Sequence, residues 1–297
     1  MNKGPIGSDF DDFLAEEDLL EETEAAAIKR VQAFQANNMK DFYTSFYAIA
    51  ADSPAHRDFC RRVFGADLCQ HGFADLPQLE LLLDTLQLEP GRRALDLGCG
   101  SGQITEYLSD RSGAHFTGLD YIPRAIEQAQ QRTAAKARRL SFTVGDINHL
   151  ELPDNAFDAI LSIDSIYFSE DYSATLQALK TALRPDGQMA FLYSYGREPW
   201  VPREQFPKEN LQPDRTPLAQ ALRDNGLSFT AHDLTQADYD LAQRRKTVLA
   251  ELKPQFEAED ALFIYENRLG DAKGVSQAIE DGLHARYLYH IQTGRPA

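Results

Sequence analysis

Ten residues constrain this 297-residue chain more than any others: ALDLGCGSGQ, residues 94–103. Ala94 and Leu95 read as a buried strand, Asp96 closes it, and Gly98, Gly100 and Gly102 alternate with small residues. Such a run makes a tight strand-to-helix turn, because glycine reaches backbone conformations that a Cβ forbids. The turn also aims free N–H groups at whatever lies at the start of the next helix. A second acid, Asp120 in TGLDYIP, closes another strand-like run 24 positions after Asp96. A carboxylate there can accept both hydroxyls of a ribose. The two features together predict a nucleoside-bearing ligand.

Glycine spacing narrows the choice. A nicotinamide fingerprint is G-x-G-x-x-G, which seats a pyrophosphate on a helix N-terminus. Here the third glycine comes one place early and Gln103 stands at the sixth position. Asp96, just before the loop, would repel a pyrophosphate and suits a cationic group instead.

The rest of the chain alternates between the two periodicities. Helices are expected over 76–88, 102–110, 123–136, 172–184 and 216–225. Strands are expected over 93–97, 115–120, 140–145, 157–162, 188–194, 227–234 and 284–293. Strands alternating with helices imply an α/β fold, a parallel sheet covered on both faces. Residues 236–282 carry two or three helical patterns and no strand signal. Residues 1–24 read as an acidic arm and 25–50 as a helix, while 56–73 reads as loop-like around Gly72. Residues 195–215 are rich in Pro, Arg and aromatics.

At this point the sequence resembles the class I S-adenosylmethionine-dependent methyltransferases. Asp96, Gly98, Gly100 and Gly102 carry the resemblance, with Asp120, then Asp146 and Ile147 in VGDINHLELP, and finally LRPDGQMAFLYS. These elements stand in the family's order over roughly residues 75–235. The resemblance implies a Rossmann-like seven-stranded sheet, mostly parallel, with the last strand antiparallel beside the sixth. It gives an N-terminal cap over 1–74, a core over 75–235, a helical insertion forming a lid over 236–282, and the final strand over 283–297. It implies S-adenosylmethionine as cofactor and S-adenosylhomocysteine as product. Asp96, Gly98, Gly100, Gly102, Asp120, Tyr121, Asp146, Ile147 and Ser162 would surround the cofactor, with Tyr43 over it.

Transfer from a sulfonium needs alignment more than activation, so no nucleophile triad and no metal are expected. The segment SIDSIYF, residues 162–168, looks like the stretch that faces the methyl group in glycine-sarcosine and phosphoethanolamine methyltransferases. Asp164 matches; Phe168 stands where those enzymes carry His, which counts against phosphobase chemistry. Asp164, His71 and Tyr167 are the catalytic candidates. Against those roles stand a helix cap for Asp164, an ordinary polar contact for His71 and simple packing for Tyr167. Tyr43, Tyr47, Tyr193, Tyr195 and Trp200 are candidate wall residues, whose ring faces suit a cation.

Composition trims the alternatives. A net charge of −16 opposes phosphate-backbone partners, and SIDSIYF lacks the motif of amino-group DNA methyltransferases. Three cysteines without metal-ligand spacing, Cys60, Cys69 and Cys99, suit a reducing cytoplasm. No leader or membrane-length apolar run is visible. The expected protein is a cytoplasmic enzyme, monomer or homodimer, methylating N or O of a small metabolite, with no nucleic-acid or membrane partner. A non-catalytic cofactor-binding regulator and a nicotinamide oxidoreductase are the alternatives. The first rests only on DDFLAEEDLLEETEAAAIKRVQAFQ, which resembles the lead-in helix of small helix-turn-helix antitoxins, although no such motif follows.

Overall fold

The computed structural model describes residues 39–197 and 201–293. The acidic arm, Pro199 and Trp200 lie outside them. Contacts divide the chain into two units, 1–46 and 47–297, and the division falls within helix α1, residues 39–50. In the first unit the Phe42 ring meets Tyr43 edge-on at 5.3 Å and stacks on Phe46 at 6.4 Å. The sheet and the helices packed on it belong to the second unit.

Seven strands form one sheet: β1 (Arg93–Leu97), β2 (His115–Asp120), β3 (Leu140–Val144), β4 (Phe157–Ile163), β5 (Leu183–Gly196), β6 (Ser228–Asp233) and β7 (His284–Gln292). Their order is β3-β2-β1-β4-β5-β7-β6. β1 to β5 pair in parallel, and β7 lies antiparallel to both β5 and β6. The chain starts at β1, runs outward to β3 and returns to β4. This reversal opens a crevice at the carboxyl ends of β1 and β4, where open α/β sheets bind ligands.

Side-chain alternation along the strands builds a core on each face. Ala94, Phe116, Ala159 and Leu161 meet Leu79 and Leu82 of α3 (Leu76–Leu86), Leu108 of α4 (Gln103–Ser112) and Ile126 of α5 (Pro123–Arg132). Leu95, Leu97, Ile160 and Phe191 meet Leu176 and Leu179 of α6 (Tyr172–Ala182) and Leu218 and Leu222 of α7 (Pro217–Asp224). Helices therefore cover both faces, as the alternating pattern predicts.

Beyond shifts of one or two residues at several ends, three boundaries differ from expectation. The helix begun by Pro123 stops at Arg132 and passes into a 3-10 turn, Ala134–Lys136. Pro185-Asp186-Gly187 is an irregularity inside the long strand β5, with Asp186 at φ 63°, and does not end it. The loop expected around residues 56–73 begins with a helix, α2 (Pro54–Phe64). Its signals are in the sequence. Ser53 caps the start by accepting from His56 N, Pro54 occupies the first turn, and Gly65 ends it at φ 91°. His56, Phe59, Cys60, Val63 and Phe64 are buried at helical spacing.

The insertion folds as a hairpin of two long helices, α8 (Thr235–Ala258) and α9 (Leu262–Glu280). α2 docks on it. The Glu259 carboxylate accepts from Ser53 Oγ at 2.6 Å and Ala55 N at 2.9 Å, an anion at the positive end of a helix. Among the described residues no helix is long and apolar enough to cross a membrane.

Candidate functional site

The glycine loop is held by backbone. Gly98 N and Cys99 N both donate to Leu119 O, at 2.7 and 3.0 Å, tying the end of β1 to the end of β2. Gly98, Gly100 and Gly102 take φ values of 80°, 54° and 71°, left-handed conformations that a side chain resists. A Cβ at Gly98 would collide with Ser165, one at Gly100 with the Tyr47 hydroxyl, and one at Gly102 with Phe142 and Ala129. The loop's glycines thus answer to the protein's own side chains as well as to any ligand. Gly102 opens α4 without a side-chain cap, which leaves N–H groups of that first turn for a ligand.

Three carboxylates stand around the loop, each in a different state. Asp120 accepts from Gly100 N on Oδ2 at 2.8 Å and from Ile122 N on Oδ1 at 2.9 Å. Burial pushes its carboxyl up, against the backbone N–H groups of Ile122, Gly100 and Tyr121. Asp96 is buried and accepts from Thr105 Oγ1 at 2.6 Å. Burial raises it to about 7, with Asp120 adding to the rise. Its direct partner is therefore α4. Asp146 is half exposed, accepting from Asn148 N at 2.9 Å with His149 Nδ1 at 3.2 Å. Ile147 packs against the core beside it. Burial, then Asp120 and Asp146, push the Tyr121 phenol up to about 12.

Ser162, fully buried near the end of β4, shares a 2.5 Å hydrogen bond with Ser165 Oγ. Ser165 in turn donates to Leu97 O. Tyr43 lies in the first unit, on Phe42.

A cavity of about 680 Å³ opens at the carboxyl ends of β4 and β5 and the start of β7. Asp164, His71 and Tyr167 all line it. The hairpin supplies Asp238, Asp271 and Val275, and the segment after β5 supplies Val201, Phe206 and Pro207. Asp164, at φ 54°, caps no helix. Its carboxylate takes both Nη atoms of Arg286, with Nη2 at 3.1 Å, and Phe73 N at 2.8 Å. Neither the cap nor a ready proton acceptor describes it. It is one half of a buried ion pair.

Arg286 is the hub. Its Nε donates to Gln78 Oε1 at 3.1 Å and its Nη1 to Ser194 Oγ at 3.0 Å. Burial works against its charge, but Asp164 and Asp238 outweigh burial and raise it. His71 is driven well below the usual histidine range by burial, then by the Arg268 and Arg245 guanidiniums, so it is neutral at pH 7. Tyr167 is 38% exposed, its ring 4.8 Å from that of Phe168. Phe168 is on the same 3-10 turn and is not among the residues of the cavity wall.

Sequence reasoning missed Arg286, Asp238, Asp271 and His284. An arginine inside the apolar run HARYLYHIQT is the one visible signal. Its partners lie 122 and 208 residues away, beyond any local pattern.

Comparison with known proteins agrees with this geometry. Residues 95–191 match the family profile of a methyltransferase domain. Phosphoethanolamine N-methyltransferase 1 of Arabidopsis thaliana is 27% identical over 218 residues, 71% of this chain and 44% of its own length. A sterol 24-C-methyltransferase of Gibberella zeae is 25% identical over 66% of this chain and 51% of its own. The chain thus spans about half the length of these relatives. Among solved structures, phosphoethanolamine N-methyltransferase 2 of Haemonchus contortus superposes with a TM-score of 0.68 at 17% identity, covering 85% of this chain and 60% of the other. The mycolic acid cyclopropane synthase CmaA1 gives 0.63 at 20%, covering 84% and 98%. The sheet order and the superpositions give the chain a Rossmann-like methyltransferase fold, and its glycine loop lies within the stretch that matches the methyltransferase domain.

Proposed function

We propose that this chain binds S-adenosylmethionine along the glycine loop and transfers its methyl group to a nitrogen or oxygen of a small molecule in the neighbouring cavity. One observation carries the reading: loop and cavity share the end of β4. Ser165 is the side chain against Gly98, and Asp164, one residue before it, lies on the cavity wall. A group on the loop and a group in the cavity therefore lie on opposite sides of a single turn.

The residues fit the cofactor. Asp120 is fixed by backbone N–H groups at the end of β2, and an acid in that place suits a ribose diol. Asp146 and Ile147 would border the adenine, and the N-terminus of α4 would face a carboxylate. When bound, the sulfonium supplies a methyl that is displaced in line, the C–S electron pair passing to sulfur. The chain's part is to align the acceptor and exclude water. His71, neutral, offers an acceptor for a proton released by the nucleophile, although a weak one. The α8–α9 hairpin roofs the cavity with Asp238, Asp271 and Val275. Cofactor should then slow amide exchange in parts of 236–282 as well as in the loop; slowing confined to the loop would remove the lid role.

Calorimetry with S-adenosylmethionine and with NADH tests the reading. Binding of S-adenosylmethionine with methyl release on a metabolite panel is expected. NADH binding in its place would overturn it, and cofactor binding with no turnover on any acceptor would leave a regulator.

A further inference from the structure

The methyltransferase reading places an acceptor in the cavity, and the cavity's charges bear on what that acceptor is. Asp164 is spent: Arg286 takes both its oxygens and Phe73 N adds a third bond, while Gly72 packs so near that a Cβ there would strike Oδ2. Asp238 is not. It sits in the first turn of α8, 1% exposed, on the cavity wall, and no donor among the described residues bonds to either of its oxygens. Arg286 Nε lies 3.2 Å from Oδ1, but the single hydrogen of that nitrogen goes to Gln78. His284 Nε2 is 3.6 Å from Oδ2. Asp238 is thus charge-balanced without being hydrogen-bonded, and a buried carboxylate in that state gains from any donor that reaches it.

The rest of the wall says what kind of donor. Among the described lining residues, three carboxylates, Asp164, Asp238 and Asp271, face one guanidinium, Arg286, which is already committed. Arg245 lies 3.7 Å from Asp271 but is fully buried, its guanidinium 4.1 Å from the centre of the Phe73 ring. The remaining wall is largely aromatic: Phe73, Tyr167, Tyr172, Tyr193, Tyr195 and Phe206. Rings and an under-bonded carboxylate favour an ammonium. A phosphate or carboxylate would find no uncommitted cation on that wall, because Arg245, whose nitrogens make no hydrogen bond among the described residues, is fully buried and does not line the cavity.

We infer that Asp238, and not Asp164, anchors the acceptor, and that the acceptor is a small ammonium-bearing molecule with an apolar body and no anionic group. This rests on the methyltransferase reading above.

Titration calorimetry with phenethylamine, phenethyl alcohol and phosphoethanolamine, each with and without S-adenosylhomocysteine, tests it. Phenethylamine should bind at least about tenfold tighter than the other two, the difference a charge-assisted bond supplies. Asp238→Asn should erase that preference while S-adenosylhomocysteine affinity stays, which also reports a folded domain. Tighter binding of phosphoethanolamine, no amine binding, or an unchanged preference in Asp238→Asn would overturn the inference. Should the variant fail to fold, a crystal of the wild-type chain with S-adenosylhomocysteine and phenethylamine decides. The nitrogen should lie about 3 Å from an Asp238 oxygen; a nitrogen on Asp164 would overturn the inference. Absence of S-adenosylhomocysteine binding would instead take down the methyltransferase reading, and the titrations without it would still decide the role of Asp238.

Discussion

The two ends of the crevice are built by different means. At the β1–β2 end the loop is a backbone device. Gly98 N and Cys99 N reach Leu119 O, and Asp120 takes Gly100 N and Ile122 N. All of its parts lie within about 25 residues. At the β4–β5–β7 end the cavity is a side-chain device. Arg286 gathers Asp164, Gln78, Ser194 and Asp238 from four other elements. A backbone site can keep its shape through changes at most side chains, the glycines excepted. A side-chain site changes its chemistry with a single residue. One scaffold can therefore hold one cofactor while its cavity turns to different acceptors.

Removing the hub should produce the largest effect. Arg286→Met leaves Asp164 and Asp238 buried without their cation, and loss of one partner of such a pair costs about 3–5 kcal/mol. Urea denaturation measures it. A loss below about 1 kcal/mol would mean that the cavity end, too, stands on its backbone. Next comes Gly98→Ala, which combines a positive φ with the collision at Ser165 and should cost about 2–4 kcal/mol. Adding Ser165→Gly should restore at least part of that. No recovery would place the whole cost in the positive φ.

Asp96 supplies a pH test of the loop end. Its carboxyl is raised to about 7 by burial, whereas an unfolded Asp titrates near ~3.9. Between those values the folded chain keeps a proton that the unfolded chain releases. Stability should thus fall as pH rises from about 4 to about 7, by up to about 1.4 kcal/mol per unit, and level off above. Asp96→Asn should flatten this slope in denaturation at pH 5 and pH 8; an unchanged slope would place the effect elsewhere. The smallest effect sharpens the comparison. Asp120→Ala should weaken S-adenosylmethionine by more than about 1 kcal/mol in calorimetry while leaving amine binding in the cavity intact. Unchanged cofactor affinity would remove Asp120 from the site.

Legibility in the sequence follows the same division. Arg93–Leu97 and His115–Asp120 are both read to the residue, because a buried parallel strand ended by glycine or acid has few alternatives. The seven strands and the antiparallel β7 are also legible, the latter through family resemblance. The helix at Pro54–Phe64 is not legible despite its Ser-Pro start and Gly stop, because Gly72 and the polar residues around it carry loop signals into the same stretch. Asp164 is legible as a catalytic candidate near the methyl position but not as an ion-pair partner, since the pairing arginine sits on β7. Asp238 carried no signal, because an acid in the first turn of a helix is ordinary on dipole grounds.

β7 has one more consequence. It is the last of the described strands to be synthesised, yet it takes an interior place between β5 and β6. β5 pairs with it residue for residue, Gln188 with Gln292 through Gly196 with His284, contacts about a hundred positions apart that close slowly. A nascent chain short of residue 284 already carries the glycine loop and five parallel strands but not Arg286. Synthesis thus completes the glycine loop first and the Arg286 cluster last, with β7 as the latch of the cavity.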